Sequence, residues 1–336
     1  MQRELALEFV RVTEAASLAA APWMGKGKKK LADKAAVDAM RAVFDTVHIN
    51  GTVVIGEGEK DEAPRLYIGE EIGDFGSNAP VLDIAVDPLE GTTLVARGLP
   101  NALAVVAVAE RGTLLKAPDT YMEKIAVGPG AKGCINLNAS VEDNLRAVAN
   151  ALNKSLKDLT VIVLDRSRHE KLISDIRKVG ARIKLISDGD VAGGIATSLE
   201  DTGVDVLMGT GGATEGVLTA AALRCLGGEI QARLKPRNES DRQKAFDFGI
   251  KDIDKLYKTE DLASGEDNMF AVTGITDGDL LKGVRYSGVD ATTHSLVMRS
   301  KTGTIRYITA SHKITQKPAY FPKDIFNPDF NQKLEM

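Results

Sequence analysis

The chain has 336 residues, of which 43% are hydrophobic, so it has material for about two domains or one large α/β unit. Its 43 basic and 47 acidic residues give a net charge of −4, and only 5% are aromatic, which argues against a nucleic-acid partner. Because Cys134 and Cys225 lack metal-binding spacing and no apolar run reaches the roughly 18 residues of a membrane span, we expect a cytoplasmic protein with reduced thiols and no membrane partner.

Two amphipathic helices are predicted to open the fold, because apolar residues recur there at helical spacing. The two sets are Leu5, Phe9, Val12, Ala16 and Ala19, and then Ala36, Met40, Val43 and Val47. Strands are predicted to follow at residues 52–55, 66–68, 81–86 and 103–109. Ser140 and Asp143 have the spacing of a capping box, which predicts a helix that reaches about Leu152.

Strand and helix patterns then alternate, which predicts an α/β chain. The predicted strands are 160–164, 182–186 and 204–208, and the predicted helices are 169–179, 190–199 and 214–226. Residues 231–262 are polar and are interpreted as an excursion at a lobe edge, whereas 295–300 and 304–309 read as a terminal β-hairpin. We place an N-terminal lobe at 1–155, a C-terminal lobe at 156–320 and a tail at 321–336.

The segment Asp87-Pro88-Leu89-Glu90-Gly91-Thr92 is the most informative motif, because it places two carboxylates and a hydroxyl after a predicted strand. Pro88 lacks an N–H, so we expect the chain to turn there, and Gly91 allows a close backbone approach to a ligand. Two carboxylates held together repel unless a cation lies between them, and oxygen ligands favour Mg²⁺ or Mn²⁺. The alternative is a surface turn in which Thr92 caps the next helix.

Other predicted strands also end in polar or glycine-rich loops. These loops are Gly56 to Glu62 with four acids, Asp165 to His169, Ser187 to Asp190, and Gly209 to Gly216. Because ligands of α/β sheets bind outside the carboxyl ends of the strands, we expect the loops to converge on one crevice. Taken singly, an acidic loop is usually solvated surface, and the glycine-rich run lacks the residues of a P-loop.

These motifs together resemble the class II fructose-1,6-bisphosphatases. The resemblance covers nearly the whole chain and is carried by Gly56-Glu57-Gly58-Glu59, by Asp87 to Thr92, by Pro118-Asp119-Thr120-Tyr121-Met122, by Asp188-Gly189-Asp190 and by Gly211-Gly212-Ala213-Thr214-Glu215-Gly216. More distantly, the Asp87 to Thr92 element is similar to the lithium-sensitive phosphomonoesterase superfamily. The resemblance implies a layered αβαβα sandwich and metal-dependent hydrolysis of the 1-phosphate of fructose 1,6-bisphosphate in gluconeogenesis.

The resemblance also implies which residues form the site. The metal ligands would be Asp33, Glu57, Asp87, Glu90 and Glu215, and further active-site residues would be Lys29, Glu59 and Asp61. The sugar-phosphate contacts would be Glu90, Gly91, Thr92, Tyr121, Arg166, Ser167, Arg168, Asp188, Gly189, Asp190 and Gly212. The chain departs from the family pattern at Thr214, where many members have proline, and at Arg166-Ser167, which replaces a frequent basic-Pro pair.

We expect the Thr92 hydroxyl to orient the attacking water with Asp33 behind it, and Glu59 or Asp61 to take the proton. The arginines Arg166 and Arg168 offer planar donors for the phosphate that does not react, together with Tyr121. His169 is interpreted as structural or at the rim of the site.

Three functions compete at this point. The first is a fructose bisphosphatase that uses Mn²⁺ or Mg²⁺, and the second is a related phosphatase for sedoheptulose 1,7-bisphosphate or an inositol phosphate, or one enzyme for both bisphosphates. The third is a non-catalytic sensor of metal and sugar phosphate, which would have no need of an oriented water. The resemblance implies a homodimer or homotetramer, and Leu296, Met298 and Ile305 of the predicted hairpin offer an apolar stripe for packing.

Overall fold

The computed structural model describes residues 1–58, 65–288 and 290–317. The α-helices, in chain order, are α1 (Leu5–Ala20), α2 (Lys29–Phe44), α3 (Thr92–Arg97), α4 (Val141–Ala151), α5 (Glu170–Val179), α6 (Asp190–Ala196), α7 (Ala213–Leu226), α8 (Glu239–Asp247) and α9 (Thr259–Leu262). The strands are β1 (Asn50–Ile55), β2 (Glu71–Ile72), β3 (Val81–Glu90), β4 (Leu103–Glu110), β5 (Tyr121–Val127), β6 (Thr160–Leu164), β7 (Arg182–Ile186), β8 (Val206–Gly212), β9 (Glu229–Lys235), β10 (Tyr257–Lys258), β11 (Met269–Gly274), β12 (Arg285–Ser287), β13 (Asp290–Arg299) and β14 (Thr304–Lys313).

The chain divides into two compact units, each with its own sheet. The first unit comprises Met1–Ala107, Phe270–Met298 and the described residues from Ile305 onward, and the second comprises Val108–Met269 and Arg299–Thr304. Each unit is therefore assembled from separate segments, whereas the predicted lobes, 1–155 and 156–320, are continuous in sequence. The predicted lobes therefore stay a prediction. The predicted tail, 321–336, lies outside the described residues.

The sheet of the first unit has the strand order β12-β13-β11-β4-β3-β1-β2, and β14 pairs with β13. Helices α1 and α2 pack against each other and against β3. Their apolar stripes supply the core, as the spacing of Phe9 and Met40 predicted, and both side chains are fully buried. The buried hydroxyl of Thr13 on α1 lies 2.7 Å from the Thr273 hydroxyl, so this polar group of the helix face is paired.

Two expectations about this sheet are wrong. Strand β3 continues through Pro88 to Glu90 rather than turning at Pro88. Its parallel register with β1 ends at Ala85, so Pro88 lies beyond that neighbour and its missing N–H interrupts no pairing with it. Residues 66–68 do not form a strand, because Leu66 takes a positive φ of 53° that ends extended structure, and the short strand β2 follows at Glu71 instead.

The sheet of the second unit has the order β10-β9-β5-β8-β6-β7. Strands β7, β6 and β8 are parallel, and β5 is antiparallel to both β8 and β9. Val161 and Val163 of β6 share a buried cluster with Leu145 of α4 and Ile173 of α5. Ile162, on the opposite pleat, lies against Gly193 of α6. The sheet is thus covered by helices on both faces.

The predicted polar excursion at 231–262 is wrong at its start. Strand β9 pairs with β5 over its whole length, and its residues Ile230, Ala232 and Leu234 are buried. Buried apolar residues alternate in this strand with more polar ones, so the average polarity of 231–262 conceals it. The predicted helix start is confirmed, since Ser140 is the N-cap of α4 and its hydroxyl accepts the Asp143 N–H at 3.1 Å.

The predicted α/β class is confirmed, because each unit layers helices on a mixed sheet. The predicted hairpin is confirmed as β13 and β14 and is longer than the sequence indicated. In the hairpin, Leu296 and Met298 are buried and Ile305 is 40% exposed. No helix among the described residues is long and apolar enough to cross a membrane.

Candidate active site

The Asp87 to Thr92 motif forms the end of β3 and the start of α3. The Asp87 carboxylate accepts the backbone N–H of Leu89 at 3.0 Å, which fixes the carboxylate against its own strand. The chain turns at Gly91, whose φ of 88° favours glycine, and α3 begins at Thr92. A Cβ at Gly91 would lie 2.7 Å from a methyl group of Leu94, so both the backbone angle and the packing require glycine.

Three carboxylates of the first unit influence one another. Glu57 follows β1, Asp87 lies on β3 and Asp33 lies on α2. Removal from water, together with the negative charges of Asp87 and Asp33, raises the pKa of Glu57 to about 9. Burial also raises the pKa of Asp33, and the predicted ligand Glu90 is almost fully buried at 4% exposure. These carboxylates are removed from water and repel one another. Such a group suits a hard divalent cation, whose positive charge would offset the repulsion.

Lys29 lies at the start of α2, and its ammonium donates to the Thr93 hydroxyl at 2.8 Å. This contact brings a cation beside the first turn of α3, next to the half-buried Thr92. Of the other predicted catalytic residues, Glu59 and Asp61 lie outside the described residues.

The second unit contains a buried cation among the remaining predicted residues. Lys124 of β5 has a side chain that is 2% exposed, and its ammonium pairs with the Asp190 carboxylate at the start of α6. The same ammonium donates to the Gly212 carbonyl at 2.9 Å. Burial and the charge of Asp190 raise the pKa of Glu215, and the positive charge of Lys124 opposes that rise. Lys124 therefore compensates two acids of the predicted site.

The glycines before Glu215 are required by the packing of these acids. A Cβ at Gly211 would lie 2.1 Å from an Asp190 oxygen, and a Cβ at Gly212 would lie 1.8 Å from a Glu215 oxygen. Thr214, where many family members have proline, donates its hydroxyl to the Glu215 carboxylate at 2.8 Å. The departure from the family pattern thus adds a hydrogen bond to a predicted ligand.

Tyr121 and Arg168, both predicted to hold the distal phosphate, are in contact. The guanidinium carbon of Arg168 lies 4.6 Å from the centre of the Tyr121 ring. Its Nε and Nη2 atoms both donate to the Thr210 carbonyl, at 3.0 and 2.8 Å, so this arginine is held in one orientation. Arg166 donates to the carbonyl of its neighbour Asp165 at 3.0 Å.

The other predicted contacts take their positions from turns. Ser167 opens a short 3-10 turn before α5, and Gly189, with a φ of 85°, precedes α6 just after Asp188. His169 is buried, accepts the Thr210 N–H at 2.8 Å through Nε2, and donates through Nδ1 to the Leu164 carbonyl at 2.7 Å. Burial lowers its pKa, so the neutral ring is favoured in this structural role.

Comparison with known proteins identifies the family of this chain. The model of a family described as bacterial fructose-1,6-bisphosphatase, glpX-encoded, matches residues 3–312. The chain belongs to this family.

Two relatives show how close the match to this fructose-1,6-bisphosphatase family is. A D-fructose 1,6-bisphosphatase class 2/sedoheptulose 1,7-bisphosphatase of Synechococcus sp. (strain JA-3-3Ab) is 47% identical over 341 residues, which cover 95% of this chain and 98% of that protein. Fructose-1,6-bisphosphatase 1 class 2 of Escherichia coli (strain K12) is 49% identical over 330 residues, which cover 94% of this chain and 97% of that protein.

Sequence reasoning missed two charged residues of this fructose-1,6-bisphosphatase family member. Lys124 lies in β5, and a lysine within a strand is usually interpreted from sequence as an exposed side chain. Arg237 follows β9, and its guanidinium lies over the Tyr121 ring as that of Arg168 does. Neither residue belongs to a local motif, so only the pairing of β5 with β8 and β9 reveals them.

The pKa of Glu57 predicts how the stability of the metal-free protein depends on pH. The folded pKa of about 9 exceeds the ordinary value of 4.5, so between these limits the folded state binds a proton that the unfolded state has released. Stability should therefore fall as pH rises from about 5 to 9. Thermal unfolding of metal-free protein should show this fall, and Glu57→Gln should flatten it. Equal pH profiles for the two proteins would contradict the assignment.

Proposed function

We propose that this protein hydrolyses the 1-phosphate of fructose 1,6-bisphosphate to fructose 6-phosphate and phosphate, in gluconeogenesis, with Mn²⁺ or Mg²⁺. The observation that carries the proposal is the group of mutually repelling acids Asp33, Glu57 and Asp87, in a chain matched by the family over residues 3–312. The names of both relatives include fructose-1,6-bisphosphatase.

The proposed metal ligands are Asp33, Glu57, Asp87, Glu90 and Glu215. When bound, divalent cations supply positive charge that stabilises the charge on the transferring phosphoryl group. The ligand set contains carboxylates only, which suits hard cations better than zinc.

Side chains of the protein carry out the other steps of the proposed mechanism. The Thr92 hydroxyl orients the attacking water, with Asp33 behind it, and Glu59 or Asp61 takes the proton. Lys29, held against Thr93, contributes positive charge beside the start of α3. Positioning and electrostatic stabilisation are the main demands of phosphoryl transfer, and these groups meet both.

Substrate binding is assigned to residues of two kinds. Tyr121, Arg166, Ser167 and Arg168 hold the phosphate that does not react, because a guanidinium fork matches phosphate oxygens. The proposed contacts to the sugar and to the reacting phosphate are Glu90, Gly91, Thr92, Asp188, Gly189, Asp190 and Gly212. The Lys124 ammonium holds the Asp190 carboxylate and the Gly212 carbonyl in place.

A second substrate is supported by one relative. The name of the Synechococcus protein includes sedoheptulose 1,7-bisphosphatase, and that substrate presents the same reacting end with one more carbon. We therefore include hydrolysis of sedoheptulose 1,7-bisphosphate as the alternative or additional activity. A cytoplasmic location, which rests on the cysteine usage and on the lack of a long apolar run, and a homodimer or homotetramer, which rests on the resemblance, belong to the same proposal.

The proposal is tested by phosphate release from purified protein. Fructose 1,6-bisphosphate, sedoheptulose 1,7-bisphosphate, fructose 6-phosphate and inositol 1-phosphate are each supplied with Mn²⁺, with Mg²⁺ or with EDTA. We expect release from fructose 1,6-bisphosphate with added metal and none in EDTA. The proposed ligands are carboxylates, and without a cation their negative charges are not neutralised. Absence of release from every substrate would favour the non-catalytic sensor, and full turnover with metal content measured as zero would contradict the mechanism.

A further inference from the structure

A second guanidinium shares the Tyr121 ring with Arg168. Arg237 lies between β9 and α8, and its guanidinium carbon is 5.3 Å from the centre of the ring. The Arg168 carbon is 4.6 Å from the same centre. Both contacts lie within the second unit, and Lys235 pairs with Tyr121 across strands β9 and β5.

Arg237 is held in place by a buried carboxylate. Its Nε donates to the Asp241 carboxylate at 2.6 Å and its Nη2 at 3.2 Å, while Nη2 also donates to the Asp119 carbonyl at 3.0 Å. Asp241 is 6% exposed and also accepts the Thr120 hydroxyl at 3.1 Å. The hydrogen bond from Arg237 lowers the pKa of Asp241 to about 2, so the pair is charged at neutral pH.

In each of the two arginines the guanidinium nitrogen Nη1 is available for a ligand. Within the part of the chain that the structure describes, the hydrogen bonds of Arg168 and Arg237 use Nε and Nη2, and Nη1 of each has no protein acceptor. The Arg237 side chain is 40% exposed. Two cations held on one ring repel each other, and an anion that binds both Nη1 atoms relieves that repulsion.

We propose that Arg237 is a second binding group for the phosphate that does not react, and that it makes the site specific for bisphosphates. The proposal rests on the function proposed above. Arg168, from the turn after β6, and Arg237, from the loop after β9, then bind one phosphate beside the Tyr121 ring. A ligand that carries only the reacting phosphate gains nothing from either arginine.

The test compares Arg237→Met with wild type in two measurements. We expect the KM for fructose 1,6-bisphosphate to rise about tenfold with kcat changed by less than about twofold, in line with the loss of one charged hydrogen bond. Calorimetry with fructose 6-phosphate, which carries only the distal phosphate, should show a similar loss of affinity in the presence of Mg²⁺. The affinity for p-nitrophenyl phosphate, which lacks a distal phosphate, should be the same in both proteins.

The matched control is Arg242→Met. Arg242 also places its guanidinium over an aromatic ring, that of Phe246 at 5.8 Å, and belongs to α8. It should leave KM and the fructose 6-phosphate affinity unchanged. Asp241→Asn removes the charged partner of Arg237 but retains the arginine. Because Asp241→Asn weakens the ion pair that positions Arg237 but keeps the guanidinium and an amide oxygen that accepts from it, this variant should raise KM by less than Arg237→Met does.

Several outcomes would overturn the proposal. A wild-type KM and wild-type fructose 6-phosphate affinity in Arg237→Met would do so, as would a loss of affinity in the control Arg242→Met as large as that in Arg237→Met. If Arg237→Met does not fold, Arg237→Lys keeps the charge and loses the fork, and its KM should rise about threefold, since part of the charged interaction is retained. An unchanged KM in that variant would also overturn it. Absence of bisphosphate hydrolysis in wild type would instead contradict the proposed function.

Discussion

Lys124→Met should lower the free energy of unfolding by about 3–5 kcal/mol, because it leaves the Asp190 carboxylate buried without its cation. The Lys124 side chain is 2% exposed and that of Asp190 is 9% exposed, so water cannot replace the ammonium without a change of structure. The Gly212 carbonyl also loses its donor. Activity should fall at least tenfold even where the variant is folded, because Asp190 and Gly212 are proposed substrate contacts.

Urea denaturation followed by circular dichroism measures the change. The matched control is Lys154→Met, because Lys154 also pairs with a buried aspartate, Asp205, but is itself 41% exposed. That variant should lose about 1 kcal/mol or less. A double variant that adds Asp190→Asn to Lys124→Met should recover part of the lost stability, since the unpaired charge is removed. A Lys124→Met protein within about 1 kcal/mol of wild type would show that the buried pair is not needed.

Thr92→Ala should lower kcat by roughly 10²-fold or more, with little change in KM, because an oriented water matters mainly in the transition state. Steady-state kinetics with fructose 1,6-bisphosphate and saturating Mg²⁺ measures both constants. Thr92→Ser keeps the hydroxyl at the start of α3 and should retain most of the activity. If Thr92→Ser is as slow as Thr92→Ala, the methyl group rather than the hydroxyl is the important feature.

The comparison with Arg168→Met separates chemistry from binding. Arg168 is assigned to the distal phosphate, so its loss should chiefly raise KM for a bisphosphate. Some loss of kcat is compatible with this role, since remote binding also positions the reacting end and Arg168 holds the Thr210 carbonyl. The reversed pattern, in which Thr92→Ala changes only KM and Arg168→Met changes only kcat, would mean that the two ends of the site were assigned wrongly.

Much of the local structure could be predicted from the sequence. The spacing of Phe9 and Met40 predicted α1 and α2, and Ser140 with Asp143 predicted the start of α4. Strands β6 and β7 have the predicted bounds. These elements depend on periodicity and capping, which are properties of neighbouring residues, and therefore they are visible in the chain itself.

Other elements depended on which strands became neighbours. Pro88 lies inside β3 because β1 ends its register at Ala85, and the polar-looking β9 lies inside a sheet because β5 and β10 cover its two edges. A sequence read locally contains neither fact, because the pairing partner decides whether a missing N–H or a polar residue is tolerated.

The sequence by itself determined the family of this protein and the residues proposed for its site, because the acids, Thr92, Tyr121 and the loop arginines occur in motifs, and motifs are contiguous. Only the tertiary structure decided what supports them. Lys124 and Arg237 stand outside any motif, and their roles follow from β5 lying between β8 and β9, which brings Lys124 to Asp190 and Arg237 to Tyr121. Charge compensation acts through space at short range, so the residues that provide it need no fixed spacing along the chain.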